Sequence, residues 1–567
     1  MEKELPVFEK WPYRMPDMEK AEKQIREFAR RMENAKDEAE ALKIWKANAK
    51  LSDKLNNEIS HIQVLFSLNS LDKKYKRDND ILDETIPLLT AADNCFIKAT
   101  MNSPFREYLE KKLGSYLFKM YDYSLRSFDE KIVEDSIEEN KLCSEYGALL
   151  ASAQIEFRGG TYNLSQMGKF MEDLDRETRK EASKAYYAYL ETIADKLEDI
   201  YSKLVLVRDR MAKKLGYENY VELGYLRMGR YDYNKDDVAS YREAIGEVVT
   251  PIVSKLTKEQ FKRTKIRHPE VYDLNILFLD GNATPMGTTE EKVERAREMY
   301  GKMSEETNYW FNFMADHHLL DLEAKPGKQP GGYMTEFPVY GVPFIFSNFN
   351  GTAGDVDVLT HEFGHSFQYC MSRKIAIPEY RMPTMESCEI HSMSMEFLAE
   401  PYMDLFFDNA EKYRYQHLFE SIAFLPYGVS VDEFQHFAYE NPNATPEERD
   451  AKWHEIELKY TPYKVACYGD CEYMKRGRRW LVQKHIFESP FYYIDYTLAQ
   501  IMAFQFFNLD RKNHALAWKK YLKLCKMGGT YPFRTLVKKD GMKDPFESGV
   551  VKKTISPLVK QLKTYKF

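Results

Sequence analysis

The sequence predicts a mainly α-helical protein of two lobes, with a small β-element beside one central helix. Long charged stretches carry apolar side chains at helical spacing and contain few helix-breaking residues, as in residues 17–51. The chain has 567 residues, which is beyond the size at which a single apolar core stops growing. We therefore predict an N-terminal helical lobe over residues 1–200 and a second lobe over residues 201–567.

Two short regions are typical of β-structure. Residues 153–164, "AQIEFRGGTYNL", contain two β-prone runs around Arg158-Gly159-Gly160, as in a hairpin, and Ser165 is predicted to cap the helix that follows. Turn signals then cluster through residues 265–350. The segment from Val339 to Phe349 is rich in aromatic and β-branched residues. We predict one or two strands in this segment.

The composition excludes several classes of protein. The net charge is −7, with acidic and basic residues mixed along the chain, which argues against nucleic acid as the main partner. Seven cysteines in a chain this long do not predict a disulfide framework. The first residues lack the apolar core of a signal peptide, and no run of 18 apolar residues predicts a membrane span. We expect a cytoplasmic protein with no membrane partner.

The segment "VLTHEFGHSFQ" contains the pattern HExxH, from His361 to His365. Random placement of 12 histidines, with all 89 acidic residues counted as glutamate, predicts at most about 0.04 such matches. Thr352 to Asp355 resembles a capping box, and no proline follows before Pro378. The pattern is therefore predicted to lie on a helix.

On that helix the two histidines lie opposite an apolar stripe. At 100° per residue, three apolar side chains share one face, namely Leu359, Phe363 and Phe367. His361 and His365 project from the other face, where two imidazoles can hold one metal ion. Glu362 points to the side of this pair, towards a water on the metal, and Gly364 is expected to leave space beside the site. The pattern predicts a zinc centre with one ion per chain.

A catalytic zinc requires a third protein ligand. Metzincins supply a histidine ten residues after the first one, but Met371 stands at that position. Glu386, Glu389 and Glu396 are candidate ligands on a later predicted helix. Spacing alone leaves the three glutamates open.

The order "HEFGH", then Glu389, Ser392 and Glu396, resembles the E-x-x-S-x-x-x-E segment of the thimet-type zinc oligopeptidases. The closer likeness is to their bacterial oligoendopeptidase F branch, which includes the Pz-peptidases. This resemblance implies that Glu389 is the third ligand and that Glu396 lies behind the ligands. His391 is then a structural residue.

A second segment, "KHIFESPFYYIDYTLAQIMAFQFF", is the candidate source of groups that contact the substrate carbonyl. Ser489-Pro490 is predicted to begin a helix that extends towards Phe507. Tyr492 and Tyr496 share one face of it. A histidine followed by tyrosines at helical spacing also resembles the same family, which implies that His485, Tyr492 and Tyr496 contact the substrate. Tyr493 competes with Tyr492 for this role.

The resemblance covers residues 330–510 most strongly, and more weakly residues 157–182 and the segment "PFIFSNFNGT". It implies a nearly all-helical fold of two lobes flanking a deep channel with zinc on its floor. Such a channel admits short unstructured peptides and excludes folded proteins.

We predict a zinc metalloendopeptidase in which a metal-activated water attacks internal peptide bonds and Glu362 is the general base. The strand near Phe346, Ser347 and Asn348 is predicted to pair with the substrate backbone. One alternative is a zinc exopeptidase that trims a free terminus, as a carboxypeptidase does. The other is a non-catalytic peptide-binding protein of the same fold.

Overall fold

The computed structural model describes residues 5–567, and the predicted mainly helical fold with a small β-element beside the HExxH helix is confirmed. In chain order the helices are α1 (Met18–Glu33), α2 (Glu38–Leu68), α3 (Lys73–Met101), α4 (Arg106–Leu113), α5 (Ser115–Ser127), α6 (Val133–Ala151), α7 (Leu164–Met171), α8 (Arg176–Lys214), α9 (Tyr220–Arg227), α10 (Lys235–Arg263), α11 (Thr289–Met303), α12 (Glu305–Asp316), α13 (Gly354–Ser372), α14 (Met385–Ala399), α15 (Ala410–Glu440), α16 (Pro446–Tyr460), α17 (Pro462–Val465), α18 (Glu472–Lys475), α19 (Lys484–Glu488), α20 (Tyr493–Asp510), α21 (His514–Met527), α22 (Phe533–Asp540) and α23 (Val550–Leu562). The strands are β1 (Ile155–Phe157), β2 (Gly160–Tyr162), β3 (Leu320–Glu323), β4 (Tyr333–Phe337) and β5 (Val342–Phe349).

Short polar side chains fix where several of the long helices begin. Asp17, Asp37 and Asp175 each accept a backbone N–H from the first turn of α1, α2 and α8, respectively. Such a bond satisfies a donor that the helix itself leaves unpaired. The helices therefore begin where the sequence supplies a cap.

Buried apolar side chains form two large clusters, which is the physical basis of two lobes. One cluster is built from α1 to α5 and includes Tyr380 from the region after α13. The other contains β5, α13, α14 and α20. The predicted boundary at residue 200 lies within α8, a continuous helix, and the division of the chain at that residue stays a prediction.

The predicted hairpin is present as β1 and β2, which pair antiparallel. Arg158 and Gly159 form the turn with φ of 47° and 82°. The prediction that Ser165 caps the next helix is wrong. Asn163 caps α7 instead, because its side chain accepts the N–H of Gln166 while the Gln166 side chain accepts the N–H of Asn163.

The second sheet has the strand order β3-β5-β4. The predicted β-region from Val339 to Phe349 contains one strand, β5, and it is the central one. Ile345 and Phe346 have backbone partners on both sides, so β5 has no free edge there for a substrate. The predicted backbone pairing of a peptide with this part of β5 is therefore wrong. The two edge strands of the sheet are β3 and β4.

The HExxH pattern lies on α13, as predicted, but the helix begins differently. Ala353 is the residue before its first turn, and no side chain caps it. Asp355 accepts the backbone N–H groups of Asn350 and Gly351 and forms an ion pair of 2.8 Å with Lys292. Asp355 therefore holds the loop between β5 and α13 rather than completing a capping box with Thr352.

Gly364 allows α13 and α14 to pack in close contact. A Cβ atom at this position would lie 2.6 Å from Ser392 Cα and 2.7 Å from the carbonyl oxygen of His391. Gly364 was predicted to leave space beside the metal site. That prediction is wrong, because the space is filled by the backbone of α14.

Among residues 5–567, the structure contains no helix that is both long enough and apolar enough to cross a membrane.

We expect Gly364→Ala to lower the free energy of unfolding by about 1–3 kcal/mol, because the added methyl group must push two helix backbones apart. The denaturation midpoint measures this change. Gly147→Ala on α6 is the matched control, since the nearest atom to its added Cβ is 3.5 Å away, on the Glu488 side chain. Alanine is also favoured over glycine in a helix. Equal midpoints for the two variants would contradict the close packing of α13 on α14.

Candidate metal centre and active site

Two histidines and one glutamate meet where α13 crosses α14. His361 and His365 are one turn apart on α13, and Glu389 faces them from α14. Their candidate ligand atoms all lie within 4.8 Å of one another. The Glu389 Oε2 atom is 3.1 Å from His361 Nε2 and 3.4 Å from His365 Nε2. Within the described chain, no other group of three or more His, Cys, Asp or Glu side chains has the spacing of a metal site.

These separations fit a tetrahedral metal ion. Zinc bonds of about 2.0–2.1 Å give a ligand-to-ligand edge of about 3.3 Å in a regular tetrahedron. The two measured edges lie on either side of that value. Three protein donors also leave a fourth position for a water or a substrate oxygen. The donor set therefore suits a catalytic zinc centre.

The other two candidate glutamates have different partners. Glu396 Oε1 is 2.6 Å from His361 Nδ1, and its Oε2 is 2.7 Å from His417 Nε2. Glu396 thus lies behind His361 and directs His361 Nε2 towards the centre. Glu386 lies 3.4 Å from Arg230. His417, on α15, was missed by the sequence analysis because no motif links it to the HExxH pattern.

Glu362 lies on the wall of the same cavity as the metal-site residues. Its side chain is buried, and its Oε2 atom has no hydrogen-bond partner among the described residues. Burial raises the pKa of this carboxyl, and the neighbouring histidines oppose the rise. An unpartnered carboxylate is costly inside a protein. Its position beside the donor group suits it to accept and release protons.

His485 and two tyrosines form a second group across the cavity. Tyr492 donates a hydrogen bond from its hydroxyl to Glu389 Oε1. The His485 Nε2 atom is 3.1 Å from the Tyr496 hydroxyl. The rings of Tyr492 and Tyr496 are 5.0 Å apart, so the predicted common face is present. Burial lowers the pKa of His485 to about 4, which makes its imidazole neutral at pH 7.

A chain of hydrogen bonds sets the proton position on His485. Tyr427 donates to Gln483 Oε1 at 2.7 Å, which leaves the Gln483 amide nitrogen facing His485 Nδ1 at 3.0 Å. Because the amide nitrogen donates there, the neutral imidazole carries its proton on Nε2 and donates to Tyr496. The hydroxyl hydrogen of Tyr496 is then available for a substrate oxygen. Tyr427 and Gln483 were missed because their role depends on contacts between distant segments.

The segment before α20 is irregular, contrary to the predicted helix start at Ser489-Pro490. The helix begins at Tyr493, and Phe491 has φ of 67°, a conformation that costs energy for a non-glycine residue. Gln435 accepts the N–H of Phe491 at 2.8 Å, and Arg230 donates to its carbonyl at 2.7 Å. These bonds hold the strained residue and thereby fix the position of Tyr492.

Arg230 also ties the two helices of the site together. Its guanidinium is 2.6 Å from Asp495 on α20 and 3.4 Å from Glu386 on α14, and all three side chains are buried. One cation thus offsets two buried carboxylates, one on each helix. Burial without such a partner would be strongly unfavourable for either carboxylate.

The predicted substrate-binding residues of β5 do not line this cavity. Phe346 and Ser347 are buried, and the ring of Phe346 stacks on Tyr333 at 4.7 Å. Asn348 donates to the carbonyl oxygens of Gln329 and Gly331. The cavity of about 640 Å³ is lined here by residues 330–334 instead. These β5 residues therefore support the cavity wall rather than form it.

Tyr493 also lies apart from the metal-site cavity. Its ring is 5.7 Å from Phe424 and 5.9 Å from Tyr427, and it lines a neighbouring cavity with both. Tyr492 and Tyr496 line the metal-site cavity. Of the two competing tyrosines, Tyr492 is the one that faces the donor group.

We expect the chain to bind one divalent metal ion at this centre, and the three glutamates of α14 to differ in their effects. Glu389→Gln removes a ligand and is expected to weaken zinc binding by more than about 100-fold. Glu396→Gln loosens His361 and is expected to weaken it about 10- to 100-fold. Competition with a chromophoric chelator measures both values.

Glu386→Gln is the matched control, because it makes the same chemical change on the same helix. It is expected to bind zinc as the unchanged protein does. Equal losses in all three variants would contradict the assignment of Glu389 to the centre.

Comparisons with known proteins agree with this geometry. Residues 169–554 match peptidase family M3, and residues 8–128 match the peptidase M3 N-terminal domain. Oligopeptidase PepF of Bacillus subtilis (strain 168) is 23% identical over 397 residues, which are 65% of this chain and 54% of that protein. The matched part thus spans about half the length of this curated relative.

Solved structures are similar over almost the whole chain. A structure of Pz peptidase A with an inhibitor has 43% identity and a TM-score of 0.97, and covers 99% of both chains. A putative oligoendopeptidase F from Bacillus anthracis str. Ames has 42% identity and a TM-score of 0.92, and covers 99% of this chain and 98% of its own. The resemblance inferred from the sequence is confirmed. The chain therefore belongs to peptidase family M3, in the branch of oligoendopeptidase F and Pz-peptidase.

Proposed function

We propose that the protein is a zinc-dependent oligoendopeptidase that hydrolyses internal bonds of short unstructured peptides. The observation that carries this proposal is the unpartnered Glu362 carboxylate beside the His361, His365 and Glu389 donor group. The family is metal-dependent, and the relatives named above are peptidases. Free thiols at Cys95, Cys143 and Cys467 fit a reducing compartment such as the cytoplasm.

Zinc is the proposed ion because two imidazoles and one carboxylate form a donor set that zinc favours. When bound there, it would polarise the scissile carbonyl and lower the pKa of a water. His361, His365 and Glu389 would hold it. Glu396 would keep His361 oriented through its hydrogen bond to Nδ1.

Glu362 is the proposed general base. Its free carboxylate oxygen accepts a proton from the attacking water and then delivers that proton to the leaving amine. Burial supports this role, because a carboxyl with a raised pKa can hold the proton between the two steps.

Tyr496 is the proposed donor to the carbonyl oxygen as negative charge develops there. Its hydroxyl hydrogen is available because His485 supplies the other hydrogen bond. Tyr492 donates to Glu389 and orients that ligand. In this proposal His485 and Tyr492 act together with Tyr496, and Tyr493 has no contact with the substrate.

The substrate backbone is proposed to add to β4, the edge strand that lines the metal-site cavity. Gly332, Tyr333 and Met334 bring this edge to the cavity. Main-chain hydrogen bonds depend little on side chains, so we expect broad sequence preference.

Cleavage of internal bonds is favoured over trimming of a C-terminus. A carboxypeptidase needs a cationic side chain to hold the terminal carboxylate. Among the described residues that line the cavity, Lys484 is the only lysine or arginine. Its side-chain nitrogen is 3.4 Å from the Glu488 carboxylate. Its charge is therefore already offset.

We expect the protein to cleave an internally quenched peptide that is blocked at both ends. Cleavage should stop with a chelator and return with zinc. Glu362→Gln should lower kcat at least about 1,000-fold while zinc content stays the same, because a proton acceptor is lost but no ligand is. Steady-state kinetics and metal analysis measure these effects.

Glu243→Gln on α10 is the control for this change, since Glu243 is exposed and far along the chain from the site. It should retain full activity. Near-full activity of Glu362→Gln, or cleavage that resists the chelator, would overturn the proposed mechanism.

We expect Gln435→Leu to lower kcat about tenfold with little change in KM or zinc content. The variant removes the acceptor of the Phe491 N–H, so Tyr492 is held less firmly. Gln435→Glu keeps an acceptor oxygen at the same place and should restore most of the activity. A fall in KM or in zinc content alone would contradict this positioning role.

A further inference from the structure

A second cavity, about 450 Å³ in volume, lies beside the metal-site cavity. We call it the acidic cavity, since Asp53, Asp93, Glu336 and Glu379 line it, with Arg381 as the cation among its lining residues. Arg381 is 2.8 Å from Asp53. The other three carboxylates form no ion pair in the described chain.

These three carboxylates make few hydrogen bonds. Glu379 Oε1 accepts a hydrogen bond of 3.2 Å from Tyr121, but its Oε2 is shielded from solvent and has no hydrogen-bond partner in the described part of the chain. No side-chain hydrogen bond or ion pair of Asp93 or Glu336 is found among residues 5–567. Burial raises the pKa of Asp93 to about 7 and also raises the pKa of Glu336 and Glu379. The ionised forms of such carboxyl groups are stabilised most by a cation that enters the cavity.

The shape and lining of the cavity favour an organic cation over a metal ion. The metal-ligand spacing found at His361, His365 and Glu389 does not recur at these carboxylates within the described chain. Trp45, Phe96 and Tyr369 also line the cavity. Aromatic faces combined with carboxylates are a setting that stabilises ammonium and guanidinium groups.

The acidic cavity adjoins the metal-site cavity. Met382 lines both. Along β4, Met334 lines the metal-site cavity and Glu336 the acidic cavity. Two strand residues span about 7 Å. Tyr369 lies one helical turn after His365 on α13, which is about 6 Å along the axis. An extended peptide on the β4 edge would therefore reach both cavities.

We propose that the acidic cavity binds a cationic group of the peptide substrate, roughly two to four residues from the scissile bond. The group is either the free N-terminal amine or a lysine or arginine side chain. This inference rests on the proposed peptidase function. It adds a charge preference to a site whose backbone contacts are otherwise indifferent to sequence.

Three internally quenched peptides of one apolar sequence test the proposal. The first is acetylated and neutral, the second has a free N-terminus, and the third is acetylated with lysine in place of norleucine two to four residues from the cleaved bond. We expect kcat/KM for the second or third peptide to exceed that for the first by about tenfold or more. The peptide that gains identifies the source of the cation.

The double variant Asp93→Asn, Glu379→Gln should abolish this preference while it cleaves the neutral peptide normally. The changes keep side-chain volume and remove buried charge, so the melting temperature is expected to stay the same or rise. Glu243→Gln is the matched control and should keep the preference. An equal loss for all three peptides, or no preference in the unchanged protein, would overturn the proposal.

Binding separates this proposal from the peptidase function. Peptides with an N-methylated bond at the cleavage site resist hydrolysis, and their Kd is measured by fluorescence anisotropy. Tighter binding of the cationic peptide without cleavage of any substrate would support the acidic cavity and overturn the peptidase function. Cleavage with equal Kd and equal kcat/KM for all peptides would overturn the acidic cavity alone.

Discussion

The close crossing of α13 and α14 is the constraint on which the centre depends. Gly364 brings the two backbones together, because any side chain there would meet Ser392. Only at that separation can Glu389 reach His361 and His365 at 3.1 and 3.4 Å. The packing of two buried helices therefore determines the donor geometry. A shift of about 1 Å would take the carboxylate out of the range of a shared ion.

The buried charges fall into two kinds. Glu396 lies between His361 and His417, and Arg230 offsets Asp495. These charges are paired within the protein and hold the helices in place. Glu362 and three carboxylates of the acidic cavity form no ion pair among the described residues. The cost of these unpaired carboxylates can be offset by a substrate that binds there.

The small sheet links these features. Its central strand is fixed on both sides, and one of its two edge strands, β4, passes from the metal-site cavity to the acidic cavity. An otherwise helical protein has few exposed backbone donors and acceptors for a peptide. The β4 edge supplies such donors and acceptors beside the metal-site residues. The lobe built from α1 to α5 contributes Trp45 and Asp93 to the wall of the acidic cavity.

The sequence by itself determined the helical class, the HExxH helix and the common face of Tyr492 and Tyr496, because these follow from local periodicity. It left three glutamates open, predicted substrate pairing along β5, which is the central strand, and began α20 too early. Those features depend on contacts between segments far apart in the chain. The tertiary structure alone decided that Glu389 faces the histidines, that β4 is the edge strand at the cavity and that Phe491 is held by Gln435 and Arg230. The physical reason is that helical spacing specifies which side chains share a face, whereas packing specifies what that face meets.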